Sequence, residues 1–132
     1  MPALAGLKRR ADFLAAARGH CVGRPTLVLQ GRERRDSEDR SDDTVRVGIT
    51  CSKKVGKAVM RNRAKRRLRE IARLVLSEEG SGGWDYVLIG KRGTTALTPF
   101  PDLVHDLRSA LRHIHRAKGG GAQSGKHHAS AQ

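Results

Sequence analysis

The stretch Lys53–Arg73, KKVGKAVMRNRAKRRLREIAR, constrains this chain more than any other part of it. It carries ten basic residues and one acid, Glu70, a local charge of +9 in about a sixth of the length. Met60, Ala64, Leu68, Ile71 and Val75 recur at spacings of 4, 4, 3 and 4, which predicts a helix with a single apolar stripe. Such a helix must dock that stripe on a core and leave its guanidinium groups to water or to an anion.

At roughly 100° per residue, Arg61, Lys65 and Arg69 fall on one flank of the stripe, with Asn62 beyond them. Arg63, Arg66 and Glu70 fall toward the other flank, and Arg73 lies on the outer face. Arg67 lands at the edge of the stripe and is expected to snorkel outward. Solvated helices usually alternate charge sign at i,i+4, whereas Arg61, Lys65, Arg69 and Arg73 repeat one sign, which is unfavourable without a bound anion. Arg outnumbers Lys six to one between Arg61 and Arg73, and planar forks suit bidentate phosphate contacts. A calmodulin-target or membrane-surface helix would set bulkier apolar residues than Met60 and Ala64 opposite the charge. Upstream, Gly56 allows a backbone geometry closed to other residues, and Lys53, Lys54 and Lys57 add phosphate-seeking charge. The spacing of a Walker A loop is absent.

The whole chain repeats this bias: 27 Lys and Arg against 13 Asp and Glu give +14 over 132 residues, pointing to a polyanionic partner, nucleic acid first. That length suits one core, and with aromatics at only 3% the core must be built from Leu, Val, Ile and Ala. No apolar run reaches 18 residues, so no membrane-spanning segment is expected. MPALAGLKRR is too short in apolar residues for a secretory signal, although its Arg- and Ala-rich start would suit a mitochondrial presequence. Cys21 and Cys51 lack the spacing of a zinc site or disulfide framework, so a reducing cytoplasm is the expected location.

Three zones follow: a lead-in at 1–6, a domain at 7–116, and a Gly-, Ser- and His-rich tail at 117–132 expected to be disordered. Leu7–Arg18 reads as a helix whose stripe is Leu7, Ala11, Leu14 and Ala17, with Phe13 beside it and Gly19 ending it. Thr26–Gln30 is a short strand. Val45–Cys51 alternates as a half-buried one, and WDYVLI at 84–89 is apolar on nearly both faces and so central. Glu33–Asp43 holds six acids and no apolar residue, which predicts an exposed loop between antiparallel strands, turned away from a polyanion. Phe100–Arg116 reads as the last helix, with Leu103, Leu107, Ala110, Leu111 and Ile114 inward.

The run VGITCSKKVGKAVMRNRAKRRLRE resembles the signature of the protein subunit of bacterial ribonuclease P: a strand with Val47 and Gly48, then Lys53 and Lys54, then a helix opening on Arg61, Asn62, Arg63, Lys65, Arg66 and Arg69. The Asp12–Phe13 pair, the DYVLI strand and the closing helix extend the likeness over residues 7–116. The resemblance implies an α/β (α+β) fold, a small mixed sheet packed by helices in αβββαβα-like order with a left-handed βαβ crossover. It also implies ribonuclease P RNA as partner, precursor tRNA as substrate, one protein per RNA, and Mg²⁺ held mainly by the RNA. By position, Arg61, Asn62, Lys65 and Arg69 resemble residues near the RNA core, and Arg63 and Arg66 resemble RNA contacts on the other flank. Lys53, Lys54 and Lys57 resemble the family's basic crossover segment, and Arg73 continues the basic surface. Phe13, with Arg46, Thr50 and Gln30, falls where the family holds the single-stranded 5′ leader, although Ala17 and Gln30 stand where relatives often carry aromatics.

The acids outside the loop are scattered without paired spacing, and His20, His105, His113 and His115 show no partner set, His113 and His115 being read as helix-end caps or solvated groups. No catalytic residue is therefore assigned to the protein. Other readings are a ribosomal-type RNA binder and, last, a helix-turn-helix protein, which needs a second helix where GSGG and a strand follow.

Overall fold

A computed structural model describes residues 4–34, 44–51 and 56–120. The elements run β1 (Leu4–Gly6), α1 (Arg10–Ala17), β2 (His20–Gly23), β3 (Leu27–Glu33), β4 (Val45–Thr50), α2 (Ala58–Glu79), β5 (Trp84–Gly90), α3 (Thr94–Leu97) and α4 (Phe100–Gly120). The five strands form one mixed sheet in the order β1-β4-β5-β3-β2. β4 and β5 are parallel neighbours joined through α2, while β3 lies antiparallel on the other side of β5. The doubly apolar strand is thus the central one, as its sequence demands.

Alternation along β5 divides the molecule. Trp84, Tyr86 and Leu88 face α2 and α4 and build the main core with Leu29, Leu68, Ile71, Leu107 and Leu111. Val87 and Ile89 face the opposite way, with Phe13, Leu7 and Ala16 over them. All five residues expected inward on α4 are buried, and so are Ala64, Leu68, Ile71 and Val75 of α2. In both helices a long run of correctly spaced aliphatic residues leaves one way to bury the stripe.

Shorter elements depart from the sequence reading. Leu4–Gly6, expected in a lead-in, pairs parallel with β4, and the Leu7 amide continues the ladder to the Val47 carbonyl at 2.8 Å. β2 was not expected at all; its HCVG carries one apolar residue facing the core and pairs with β3 as a hairpin. α1 starts at Arg10, not Leu7, and buries Asp12 and Ala16, with Phe13 half-buried, while Leu14 is 44% exposed. A buried ion pair and an aromatic ring outweigh the small Ala/Leu stripe in setting which side of α1 faces the sheet. Gly19 does not end the helix through a left-handed backbone; a Cβ there would press on the Gly31 carbonyl of β3.

At the start of the acidic segment, Glu33 still belongs to β3 and Arg34 is buried, contrary to an exposed loop from Glu33 onward. The rest of that loop lies outside the described residues. α4 continues to Gly120, past the expected domain end, and the remainder of the tail also lies outside them.

Candidate nucleic-acid interface

α2 presents its basic residues from a backbone held by the core. Its first turn contains no acid, so the positive end of the helix dipole adds to the side-chain charge. Gly56 enters the helix with φ 140, a conformation that favours glycine, and Lys57 follows as an exposed N-cap. Lys53 and Lys54 lie outside the described residues.

What these cations meet decides what they can do. Arg61 donates to the Gly56 carbonyl at 2.9 Å, and Arg63 Nε donates to the Ala96 carbonyl at 2.7 Å. Arg67 does not snorkel outward; it donates to the carbonyls of Thr95 (3.1 Å), Ala96 (2.7 Å) and Thr98 (2.6 Å), closing the C-terminal end of α3. Burial first, then the neighbouring Arg63 charge, pushes the Arg67 pKa below its ordinary value. Carbonyls orient a guanidinium without cancelling its charge. The one carboxylate contact of an α2 cation among the described residues is Arg73 with Glu70 at 3.5 Å, both largely exposed. Asn62, Arg66 and Arg69 are exposed and Lys65 is half-exposed. Arg61, Lys65, Arg69 and Arg73 thus remain a like-charged series, open to an anion.

The α1 side of the sheet treats its arginines differently. Phe13 lies directly over Gly48, where any Cβ would overlap the ring. Gln30 and Gly48 flank Val87 in one cross-strand row, and Thr50 sits beside Ile89 in the next. Phe13, Thr50 and Gln30 therefore share one face, Gln30 two strands or roughly 10 Å from Gly48. Arg46 shares the face but is engaged: its Nε donates to Asp85 Oδ1 at 2.8 Å and its Nη2 to Oδ2 at 2.7 Å. Asp85, fully buried, also receives Arg34 Nη1 at 2.6 Å, with Arg32 at 3.7 Å. Asp12 accepts from Arg9 at 3.1 Å and lies 3.6 Å from Arg46. Burial pushes the Asp12 carboxyl up, but the Arg9 hydrogen bond and the charges of Arg46, Arg9 and Arg32 outweigh it, and its pKa ends below the ordinary value.

In the sequence Asp12 and Asp85 stand 73 residues apart as scattered acids, and no motif joins them into this cluster. The available signal was an acid inside an otherwise apolar central strand, which must find a cation when buried. His115 Nε2 lies 2.7 Å from the Tyr86 hydroxyl and edge-on to Trp84 at 4.5 Å, and His20 stacks on Trp84 at 5.9 Å. His115 is a core-edge partner, not a solvated cap. Among the described residues no three His, Cys, Asp or Glu side chains converge to hold a metal, and no helix is long and apolar enough to cross a membrane.

Comparison with known proteins gives a consistent result. The family model Ribonuclease P matches residues 1–115. The ribonuclease P protein component of Ruegeria pomeroyi is 55% identical over 112 residues, 85% of this chain and 87% of the relative. That of Gluconacetobacter diazotrophicus is 53% identical over 107 residues, 80% of this chain and 87% of the relative. Among solved structures, the RNase P protein of Thermotoga maritima superimposes with TM-score 0.66 at 28% identity, covering 82% of this chain and 96% of the other. The RNase P protein of Staphylococcus aureus gives 0.65 at 28% identity, covering 82% and 93%.

Proposed function

The chain belongs to the ribonuclease P protein family, and from that premise we propose a division of labour between the two faces of its sheet. As a protein component of endoribonuclease P it works with an RNA subunit that carries catalysis, and 5′ maturation of tRNA is the family's role. In our reading, Lys53, Lys54, Lys57, Arg61, Asn62, Arg63, Lys65, Arg66, Arg69 and Arg73 form the surface that lies on ribonuclease P RNA, one protein per RNA. The face bearing Phe13, Thr50 and Gln30 takes the single-stranded 5′ leader of precursor tRNA, Phe13 stacking on a base. Arg46, on the same face, serves this cleft by fixing the Gly48 strand under Phe13 through Asp85. Cytoplasmic residence completes the proposal, supported by Cys21 and Cys51 standing as thiols.

The observation that carries the reading is the largely uncancelled charge of α2: among the described residues its guanidinium groups meet carbonyls or solvent, save the exposed Arg73–Glu70 contact, so a folded polyphosphate is the missing counter-charge. Each neutralised phosphate then releases counterions and makes binding strongly salt-dependent. Mg²⁺ is assigned to the RNA subunit. Asp12 and Asp85 are engaged by arginines. The basic surface instead lowers phosphate repulsion between RNA and substrate.

The test is 5′-leader release by the reconstituted holoenzyme. The chain should accelerate it at moderate Mg²⁺, and Arg61→Ala, Lys65→Ala or Arg69→Ala should slow it most at low Mg²⁺ and little at high Mg²⁺. Equal defects at both would overturn the electrostatic role. Absence of any acceleration would favour a binder with no part in processing.

A further inference from the structure

Between β1 and α2 the main core is left open. A groove of about 420 Å³ has Leu4, Val47, Ile49 and Ala72 along its floor and Arg69 and Arg73 on its rim. Leu4, Val47 and Ile49 are half-buried residues at the margin of the main core. Gly6 shares their face through its pairing with Val47, and a Cβ built on it meets nothing within 4 Å. Small residues at 6 and 72 therefore keep the slot open where one larger aliphatic side chain would close it.

Its rim is cationic. Arg69 is exposed and has no carboxylate within ion-pair distance among the described residues, and Arg73 has only the water-screened contact with Glu70. We propose that this groove takes one unstacked nucleobase of the partner RNA, the flat ring entering the aliphatic floor and the adjoining phosphates meeting Arg69 and Arg73. The volume lies within the range that holds a small planar ligand, and RNA exposes such bases in loops and bulges. The proposal rests on the RNA-binding reading of α2. It adds a base-binding site on the α2 side of the sheet, separate from the Phe13 face.

The test uses the full chain with ribonuclease P RNA containing sparse 4-thiouridine, irradiated and mapped by residue-level mass spectrometry. Crosslinks are expected at Leu4, Val47 or Ile49. Gly6→Leu fills the groove from a position with room for it and should remove those crosslinks while weakening RNA binding roughly tenfold. Thermal melting of the variant checks that it folds, and Gly6→Val, a smaller filler at the same open position, should act in the same direction. Crosslinks confined to α2, or unchanged affinity in both filled variants, with leader release intact, would overturn the pocket and leave the RNA surface standing. A concentration-dependent dimer abolished by either filler would also overturn it, assigning the groove to a second copy. A chain that neither crosslinks nor accelerates leader release would sink the RNA reading itself.

Discussion

Two collections of arginines in this molecule behave in opposite ways. Arg9, Arg32, Arg34 and Arg46 gather under and beside α1 around Asp12 and Asp85. The cations of α2 are also crowded, yet among the described residues they meet carbonyls or solvent, apart from the exposed contact of Arg73 with Glu70. The first collection is consumed in holding α1 and three strands together. The second keeps its charge uncompensated by carboxylates, apart from the exposed Arg73–Glu70 contact, among the described residues. Density of basic residues therefore does not mark an interface by itself; the kind of acceptor each cation meets does.

The sharpest way to break this contrast is Asp85→Asn. Removing the buried partner of Arg34 and Arg46 strands their charge, and urea unfolding should show a loss of roughly 3–5 kcal/mol. A loss below about 1 kcal/mol would mean the cluster is not structural. The salt dependence of RNA binding should be unchanged in whatever fraction stays folded.

Overpacking the other face is expected to cost less. Gly48→Ala must displace the Phe13 ring, which should destabilise the fold by about 1–3 kcal/mol and weaken leader binding without altering affinity for the RNA subunit. Asp12→Asn comes next, at roughly 1–2 kcal/mol near pH 7. Because the Asp12 pKa is lowered on folding, its contribution is present above the ordinary carboxylate value and is lost as pH falls through the folded value. The stability gap between wild type and Asp12→Asn should therefore close in acid urea melts as pH falls from above the ordinary carboxylate value through the lowered folded value; a gap independent of pH would assign the effect to packing.

The α2 series should show the reverse pattern. Arg61→Ala, Lys65→Ala and Arg69→Ala should each leave stability within about 0.5 kcal/mol. Every phosphate that a variant no longer neutralises should lower the slope of log affinity against log salt by roughly 0.7–0.9. The smallest effect belongs to Arg73→Ala, whose exposed pair with Glu70 contributes about 0–1 kcal/mol to the fold; any change it makes should appear in RNA binding.

Legibility in the sequence followed the length and regularity of each pattern. α2, α4 and β5 could be read because many apolar residues at one period leave a single face to bury, and the basic flanks of α2 follow from the same geometry. β1 and β2, three and four residues long, are too short to show a period and exist because a neighbouring strand edge pairs with them. On α1 the small aliphatic stripe was misleading, since Asp12 and Phe13 contribute more on the inward side than Leu14 does. Arg67 was placed correctly at the stripe's edge, but its inward turn depended on carbonyls of α3, some 30 residues away.

By itself the sequence determined that a cation-rich helix would dock its apolar stripe on a sheet centred on WDYVLI and carry its cations on the other flanks, because periodicity and net charge are local properties. Only the tertiary structure decided which cations stay available. Whether Arg46 meets Asp85, Arg67 meets Ala96, or Arg69 stays without a carboxylate among the described residues depends on strand order and helix placement, and electrostatic partners are chosen by proximity in space. The groove beneath β1 has the same origin: it is the space left where small residues from distant segments face one another.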